Sequence, residues 1–129
     1  MKQNQPLKIL VVDDEEGIVD YTVKTYAMKG FTTFSATDGI TAVEIFRKER
    51  PLVTLIDVHM PFSPIDGIET LRRIKEIDKK AVCIMVTRIA EKKEVETAKE
   101  YGASAYLVKP CEMDDLDKVI EEVAKIKIE

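Results

Sequence analysis

Short apolar runs alternate along the chain with longer amphipathic segments. Leu7-Lys8-Ile9-Leu10-Val11-Val12 reads as a strand. Leu52-Val53-Thr54-Leu55-Ile56 and Ala81-Val82-Cys83-Ile84-Met85-Val86 are nearly continuous in apolar residues. Such runs mark strands covered on both faces, as in parallel sheets. From Phe31 to Ala36 the pattern alternates, with Phe31 and Phe34 set among Thr and Ser, as expected of an exposed edge strand. Ala105-Tyr106-Leu107-Val108 makes a fifth strand.

Helical spacing fills the intervals. Val19, Val23 and Tyr26 share one face, and Gly30 is placed to stop that helix after Lys29. Val43 and Phe46 belong to a second helix with Asp38 as its N-cap. Ile68, Leu71 and Ile74 mark a third. The fourth, around Glu91 to Glu100, is the least apolar, with only Val95 and Ala98. Leu116, Val119, Ile120 and Val123 mark the fifth. Strands and helices in strict alternation predict an α/β fold with parallel strands joined by right-handed crossovers. The expected organisation is a single domain over residues 1–129, with its core at about 7–126.

In an open parallel sheet, ligands bind outside the carboxyl ends of the strands. Asp13-Asp14 follow the first strand, Asp57 the third, Thr87 the fourth and Lys109-Pro110 the fifth. Taken singly, each has a plainer reading. An acidic pair is a turn and helix cap, a lone Asp is a cap, and a lone Thr or Lys at a strand end means little. Their joint placement on one edge is the informative signal. Two like charges about 4 Å apart repel by roughly 4 kcal/mol at an effective dielectric near 20. Three aspartates therefore need positive charge or protons. Lys109 supplies one charge, and a divalent cation held by hard carboxylate oxygens supplies two, for which Mg²⁺ is suited. Three negative and three positive charges then balance. That set fits metal-assisted phosphoryl transfer, with Asp57 as nucleophile, Lys109 stabilising phosphoryl charge and Thr87 donating a hydrogen bond.

Composition narrows the alternatives. Net charge is −4, from 20 basic and 24 acidic residues, and lysines such as Lys79, Lys80, Lys92 and Lys93 are interleaved with acids. A nucleic-acid surface needs a concentrated basic patch instead. The apolar runs are far too short for a membrane span, and Met1 to Pro6 is polar and unlike a signal peptide. A cytoplasmic protein is the default expectation. Cys83 and Cys111 match no zinc or redox spacing. Cys83 reads as a core residue. Cys111 falls near an expected helix N-terminus, an environment that makes a thiol more acidic, although an inert thiol is the preferred reading for both.

Taken in order, Val11-Val12-Asp13-Asp14-Glu15, Leu55-Ile56-Asp57-Val58-His59-Met60-Pro61, Val86-Thr87 and Tyr106-Leu107-Val108-Lys109-Pro110 closely resemble the receiver domain of two-component response regulators. The resemblance runs from Lys8 to about Lys125. It implies a doubly wound, flavodoxin-like sheet of order 2-1-3-4-5 with helices on both faces. By position, Asp57 matches the phosphoacceptor. Asp14 matches a direct Mg²⁺ ligand, Asp13 one acting through water, and the His59 backbone carbonyl a further ligand. Thr87 matches the switch hydroxyl, Tyr106 the aromatic that changes rotamer, and Lys109 the phosphate-contacting lysine, with a cis bond to Pro110.

The implied activity is uptake of a phosphoryl group from a histidine kinase or phosphotransfer protein. The domain would catalyse only its own phosphotransfer and dephosphorylation. A protein target would read the change on the surface of the fourth helix, fifth strand and fifth helix, the domain acting as a monomer or a phosphorylation-dependent dimer. Ile18, Tyr21 and Thr22 are candidates for kinase choice.

Two departures stand out. The loop Met60-Pro61-Phe62-Ser63-Pro64-Ile65-Asp66-Gly67 is longer than the family's usual one, and Phe62 and Pro64 make it bulkier and stiffer. Arg88 stands where a small residue is usual, able to crowd the phosphate, contact it, or pair with a neighbouring acid. His59, the one histidine, has no second histidine with which to build a metal site, and reads as a loop side chain bordering the pocket.

The alternative from another class is a phosphorylation-independent interaction module, which missing acids would favour; here all are present. A small phosphatase with an aspartyl nucleophile would commonly carry Asp-x-Asp, where this chain has Asp57-Val58-His59. A nucleotide-binding domain would want a glycine-rich turn after the first strand, where this chain has Asp13-Asp14-Glu15-Glu16-Gly17.

Overall fold

The computed structural model describes residues 7–128; the polar stretch 1–6 lies outside the described residues. Ten elements alternate: β1 (Lys8–Val12), α1 (Glu16–Met28), β2 (Thr32–Ala36), α2 (Gly39–Glu49), β3 (Val53–Asp57), α3 (Gly67–Ile77), β4 (Val82–Thr87), α4 (Lys92–Glu100), β5 (Ala105–Val108) and α5 (Met113–Ala124). All strand pairs are parallel and the order is β2-β1-β3-β4-β5. The expected sheet is therefore the observed one, with β2 at an edge.

Side chains alternate across the sheet and supply two cores, as the period of two requires. Leu10, Val12, Ile56, Cys83 and Met85 face one side, where Phe46 of α2, Leu71 and Ile74 of α3 and Ala98 of α4 cover them. Ile9, Val11, Val53, Leu55 and Ile84 face the other, beneath Tyr26 of α1 and Leu116 and Ile120 of α5. The central strands carry apolar residues on both faces because both faces are covered.

Local signals set most of the element ends. Asp38 caps α2, its carboxylate accepting from the Thr41 N–H at 2.7 Å. Gly30 adopts a φ of 97° beyond the end of α1, a conformation that costs glycine little. The start of β2 differs from the sequence pattern in a way that matters for packing. Phe31 precedes β2 rather than joining it, donates its N–H to the Tyr26 carbonyl, and packs edge-on against the Tyr26 ring at 5.5 Å between centroids. Its burial thus serves the end of α1. Only Ala98 of α4 is buried, so α4 has the thinnest apolar attachment of the five helices. Among the described residues, no helix is long and apolar enough to cross a membrane.

Candidate functional site

Parallel register carries the chemistry to one edge. Asp57 pairs with Val86, and Thr87 pairs with Val108, so the ends of β3, β4 and β5 lie side by side. Asp57 and Thr87 are the last residues of their strands, so β3 and β4 each run one residue further than the pattern implied. Asp13 follows β1 and is held there by its N–H bond to the Ala36 carbonyl at 3.2 Å. The Lys109 N–H donates to the Thr87 carbonyl at 2.6 Å, which fixes the start of the β5–α5 turn. The Lys109-Pro110 bond is cis, as the resemblance implied.

Oxygens of Asp13, Asp14 and Asp57 lie within 4.8 Å of one another. Asp13 and Asp57 are buried, while Asp14 is half-buried. Lys109 Nζ donates to Asp13 Oδ2 at 2.8 Å and to Asp57 Oδ2 at 3.5 Å. The single ammonium is thus closer to Asp13. Burial pushes the Asp57 carboxyl up to about 6; Lys109 opposes this and the Asp13 charge adds to it. Burial also works against the charge on Lys109, but the Asp13 hydrogen bond and the fields of Asp57 and Asp13 outweigh it and hold Lys109 above the ordinary lysine value. The cluster is under-compensated, and its oxygen-only donor set suits a hard divalent cation.

The loop after β3 is anchored at both ends. Gly39 N–H donates to Ser63 Oγ at 2.8 Å, and Ser63 Oγ–H donates to the Ile65 carbonyl at 2.6 Å. Phe62 contributes its backbone to the site, its N–H donating to Asp14 Oδ2 at 3.2 Å, while its side chain is exposed. At the far end, a Cβ added to Gly67 would lie 2.0 Å from the Asp57 carbonyl oxygen and 2.7 Å from Val58 Cα. Backbone atoms cannot yield as a side-chain tip does. Gly67→Ala is therefore expected to cost about 1 to 3 kcal/mol in urea unfolding, through displacement of the loop.

Of the options open to Arg88, pairing with a neighbouring acid is the one it adopts in the unphosphorylated protein. Its Nη2 donates to Glu15 Oε1 at 2.8 Å, an exposed ion pair beside the cluster. A cavity of about 640 Å³ opens there between α1 and the β5–α5 turn, and its lining includes Ile18, Tyr21, Thr22, Pro110 and Met113. These include all three residues expected to influence kinase choice. Tyr106 packs against the first core with its hydroxyl shielded from solvent and without a hydrogen-bond partner among the described residues. Burial raises its pKa, with Glu94, Glu91 and Asp57 adding to the effect. An acidic thiol at Cys111 is not supported, because burial and the Asp115 charge raise its pKa instead. The fully buried Cys83 thiol is pushed up to about 12, chiefly by burial.

His59 is more deeply engaged than a bordering loop residue. Its N–H donates to Asp57 Oδ1 at 3.3 Å. Its ring meets Thr87 Oγ1 at 3.2 Å through Nδ1, and both Glu94 carboxylate oxygens, at 2.9 and 3.0 Å, through Nε2. Glu94 escaped sequence reasoning, because one more acid on a charged helix carries no distinguishing signal.

The chain is thus a doubly wound α/β domain whose acidic cluster and one balancing lysine lie at the C-terminal ends of the strands, where open parallel sheets bind their ligands. The model of the response regulator receiver domain family matches residues 9–121, and the chain belongs to that family. It is a phosphoacceptor domain of two-component signalling. Sporulation initiation phosphotransferase F of Bacillus subtilis is 35% identical over 93% of this chain and 95% of its own length. Among solved structures, a CheY-like receiver domain protein from Methanospirillum hungatei superposes with a TM-score of 0.89 at 26% identity, covering 94% of this chain and 95% of that one. The chemotaxis protein CheY of Borrelia burgdorferi, solved in complex with CheX, beryllofluoride and Mg²⁺, matches with a TM-score of 0.85 at 28% identity over 95% of this chain and 91% of that one.

Proposed function

We propose that Asp57 accepts the phosphoryl group, in one receiver domain with its core over about residues 7–126. The observation that carries this is the convergence of the Asp13, Asp14 and Asp57 oxygens within 4.8 Å, with Lys109 bridging Asp13 and Asp57. An ionised Asp57 oxygen attacks phosphorus while the P–N bond of a donor phosphohistidine breaks and the imidazole leaves. Lys109 lies within reach of the new phosphoryl oxygens, and Thr87 supplies a hydroxyl donor at the end of the adjacent strand. Asp13, Asp14, Asp57 and the His59 carbonyl would hold Mg²⁺. When bound, the cation neutralises charge on the carboxylates and on the transferring phosphoryl oxygens. Water later hydrolyses the acyl phosphate, returning phosphate and the Asp57 carboxylate. The domain thus turns over only its own phosphoryl group.

The donor is a histidine kinase or phosphotransfer protein of the cytoplasm, seated over the cavity flanked by Ile18, Tyr21 and Thr22. The output is a protein target read through α4, β5 and α5, where Tyr106 and the weakly anchored α4 lie. Incubation with acetyl phosphate and Mg²⁺ is expected to add one phosphate-sized mass to the intact protein. Asp57→Ala is expected to show none. Absence of the adduct in the wild type, or its survival in Asp57→Ala, overturns the assignment.

A further inference from the structure

We propose that His59, braced by Glu94, is a positioning residue that holds the Thr87 hydroxyl away from Asp57 in the unphosphorylated protein and ties that hydroxyl to α4. The inference rests on Asp57 as phosphoacceptor and Thr87 as the hydroxyl that turns to the phosphoryl group.

With the imidazole neutral, the contacts fix the direction of each hydrogen bond. An ionised Glu94 carboxylate has no proton to give, so the contacts at 2.9 and 3.0 Å require Nε2 of His59 to carry hydrogen. In the neutral ring Nδ1 is then a lone pair, and it faces Thr87 Oγ1 at 3.2 Å. Thr87 Oγ1 also accepts from the Ile89 N–H at 3.5 Å. The one hydroxyl proton of Thr87 is therefore directed to His59. A hydroxyl has a single proton, so donation to His59 and donation to a phosphoryl oxygen exclude each other.

That exclusion links three elements. The His59 backbone N–H holds Asp57 Oδ1 at 3.3 Å while its ring holds Thr87, the final residue of β4. Glu94 belongs to the first turn of α4, whose one buried residue is Ala98. A helix with so little apolar anchorage depends more on a polar tie at its start. When Thr87 turns to the phosphoryl group, the ring loses its partner and α4 loses the only chain of hydrogen bonds, among the described residues, that joins it to the site. Phosphorylation and the latch compete, so each weakens the other by the same factor.

Beryllofluoride with Mg²⁺ serves as the phosphoryl mimic. A net hydrogen bond is worth a factor of about five in an equilibrium constant. His59→Phe and Glu94→Ala are each expected to tighten beryllofluoride binding about fivefold. Glu94→Gln, whose side-chain oxygen still accepts from Nε2, is expected to stay near the wild type. Because the two residues act as one unit, the double variant is expected to match the singles rather than multiply them. In the wild type, ¹⁵N spectra are expected to show a protonated Nε2 on His59 and a Nδ1 signal that moves when beryllofluoride binds. A wild type that takes up no beryllofluoride overturns the Asp57 reading beneath the latch. Normal uptake with unchanged affinity in both single variants, or with multiplicative effects, overturns the latch alone. A His59 ring signal indifferent to beryllofluoride does the same, even where a variant fails to fold.

Discussion

Asp57→Asn is expected to be more stable than the wild type at pH 7 in Mg²⁺-free buffer, by about 3 kcal/mol. The folded carboxyl titrates at about 6, against 3.8 for an unperturbed aspartate, chiefly because it is buried, with the Asp13 charge adding to this and Lys109 opposing it. The folded state therefore binds a proton more tightly than the unfolded chain. Below about pH 4 both states are protonated and no penalty applies. As pH rises through about 6, the folded carboxylate loses its proton at a cost the unfolded chain does not bear. Each pKa unit is about 1.4 kcal/mol, so a shift of this size is worth about 3 kcal/mol of stability absent at neutral pH. Asparagine keeps the shape and carries no charge, so its curve lacks that fall. Urea unfolding at a series of pH values, with chelator present, measures it. The two curves are expected to converge in acid and separate above pH 6. A variant less stable than the wild type at pH 7, or a gap independent of pH, would show that the cluster is not under-compensated. Added Mg²⁺ is expected to stabilise the wild type by mass action and Asp57→Asn less, since one ligand has lost its charge.

The same electrostatics explain which parts of the site were legible in the sequence. Strands covered on both faces announce themselves by continuous apolar runs, and parallel strands end on one edge. Asp13, Asp57, Thr87 and Lys109 could thus be placed together from four separate stretches of chain. Asp38 and Gly30 were legible for a different reason, because a cap and a left-handed turn are local demands. Phe31 was misplaced in β2 because an aromatic residue in a strand-like run looks alike whether it pairs in a sheet or plugs a helix end. For Cys111, proximity to a helix N-terminus is visible in sequence, whereas the burial and the Asp115 charge that support the preferred inert reading are not. The His59 to Glu94 bridge spans 35 positions between polar side chains. Such contacts follow no period, and only the folded arrangement of the β3–α3 loop against α4 reveals them. Likewise the resemblance exposed the extra length after Asp57, but not that Ser63 pins it to Gly39. That Arg88 would find an acid was open in the sequence, and the position of Glu15 supplies the one it meets.

Lys109→Met is expected to act in the opposite direction to Asp57→Asn, although both remove a charge from the same cluster. Methionine keeps much of the lysine stem and removes the ammonium. Asp13, with a side chain 5% exposed, then loses its 2.8 Å partner, and Asp57 loses its 3.5 Å one. Breaking one side of a buried pair typically costs about 3 to 5 kcal/mol, because the remaining charge is left unpaired. At pH 7 without Mg²⁺, Lys109→Met is expected to lose stability in that range, and to take up no phosphate from acetyl phosphate within the time that saturates the wild type. The sign with pH follows from the lysine. Its folded pKa is raised above the unfolded value, so the stabilisation it brings is present while lysine is charged and is lost as pH rises through the folded pKa; in acid, the part owed to Asp57 falls as that carboxyl takes up its proton. The deficit is therefore expected to shrink as pH falls through about 6. Introducing Lys109→Met into Asp57→Asn separates the two partners. If the ammonium chiefly serves Asp13, as the shorter distance implies, most of the destabilisation persists in that background. If it chiefly serves Asp57, the double variant recovers most of the loss. A full recovery would reverse the ranking of the two contacts.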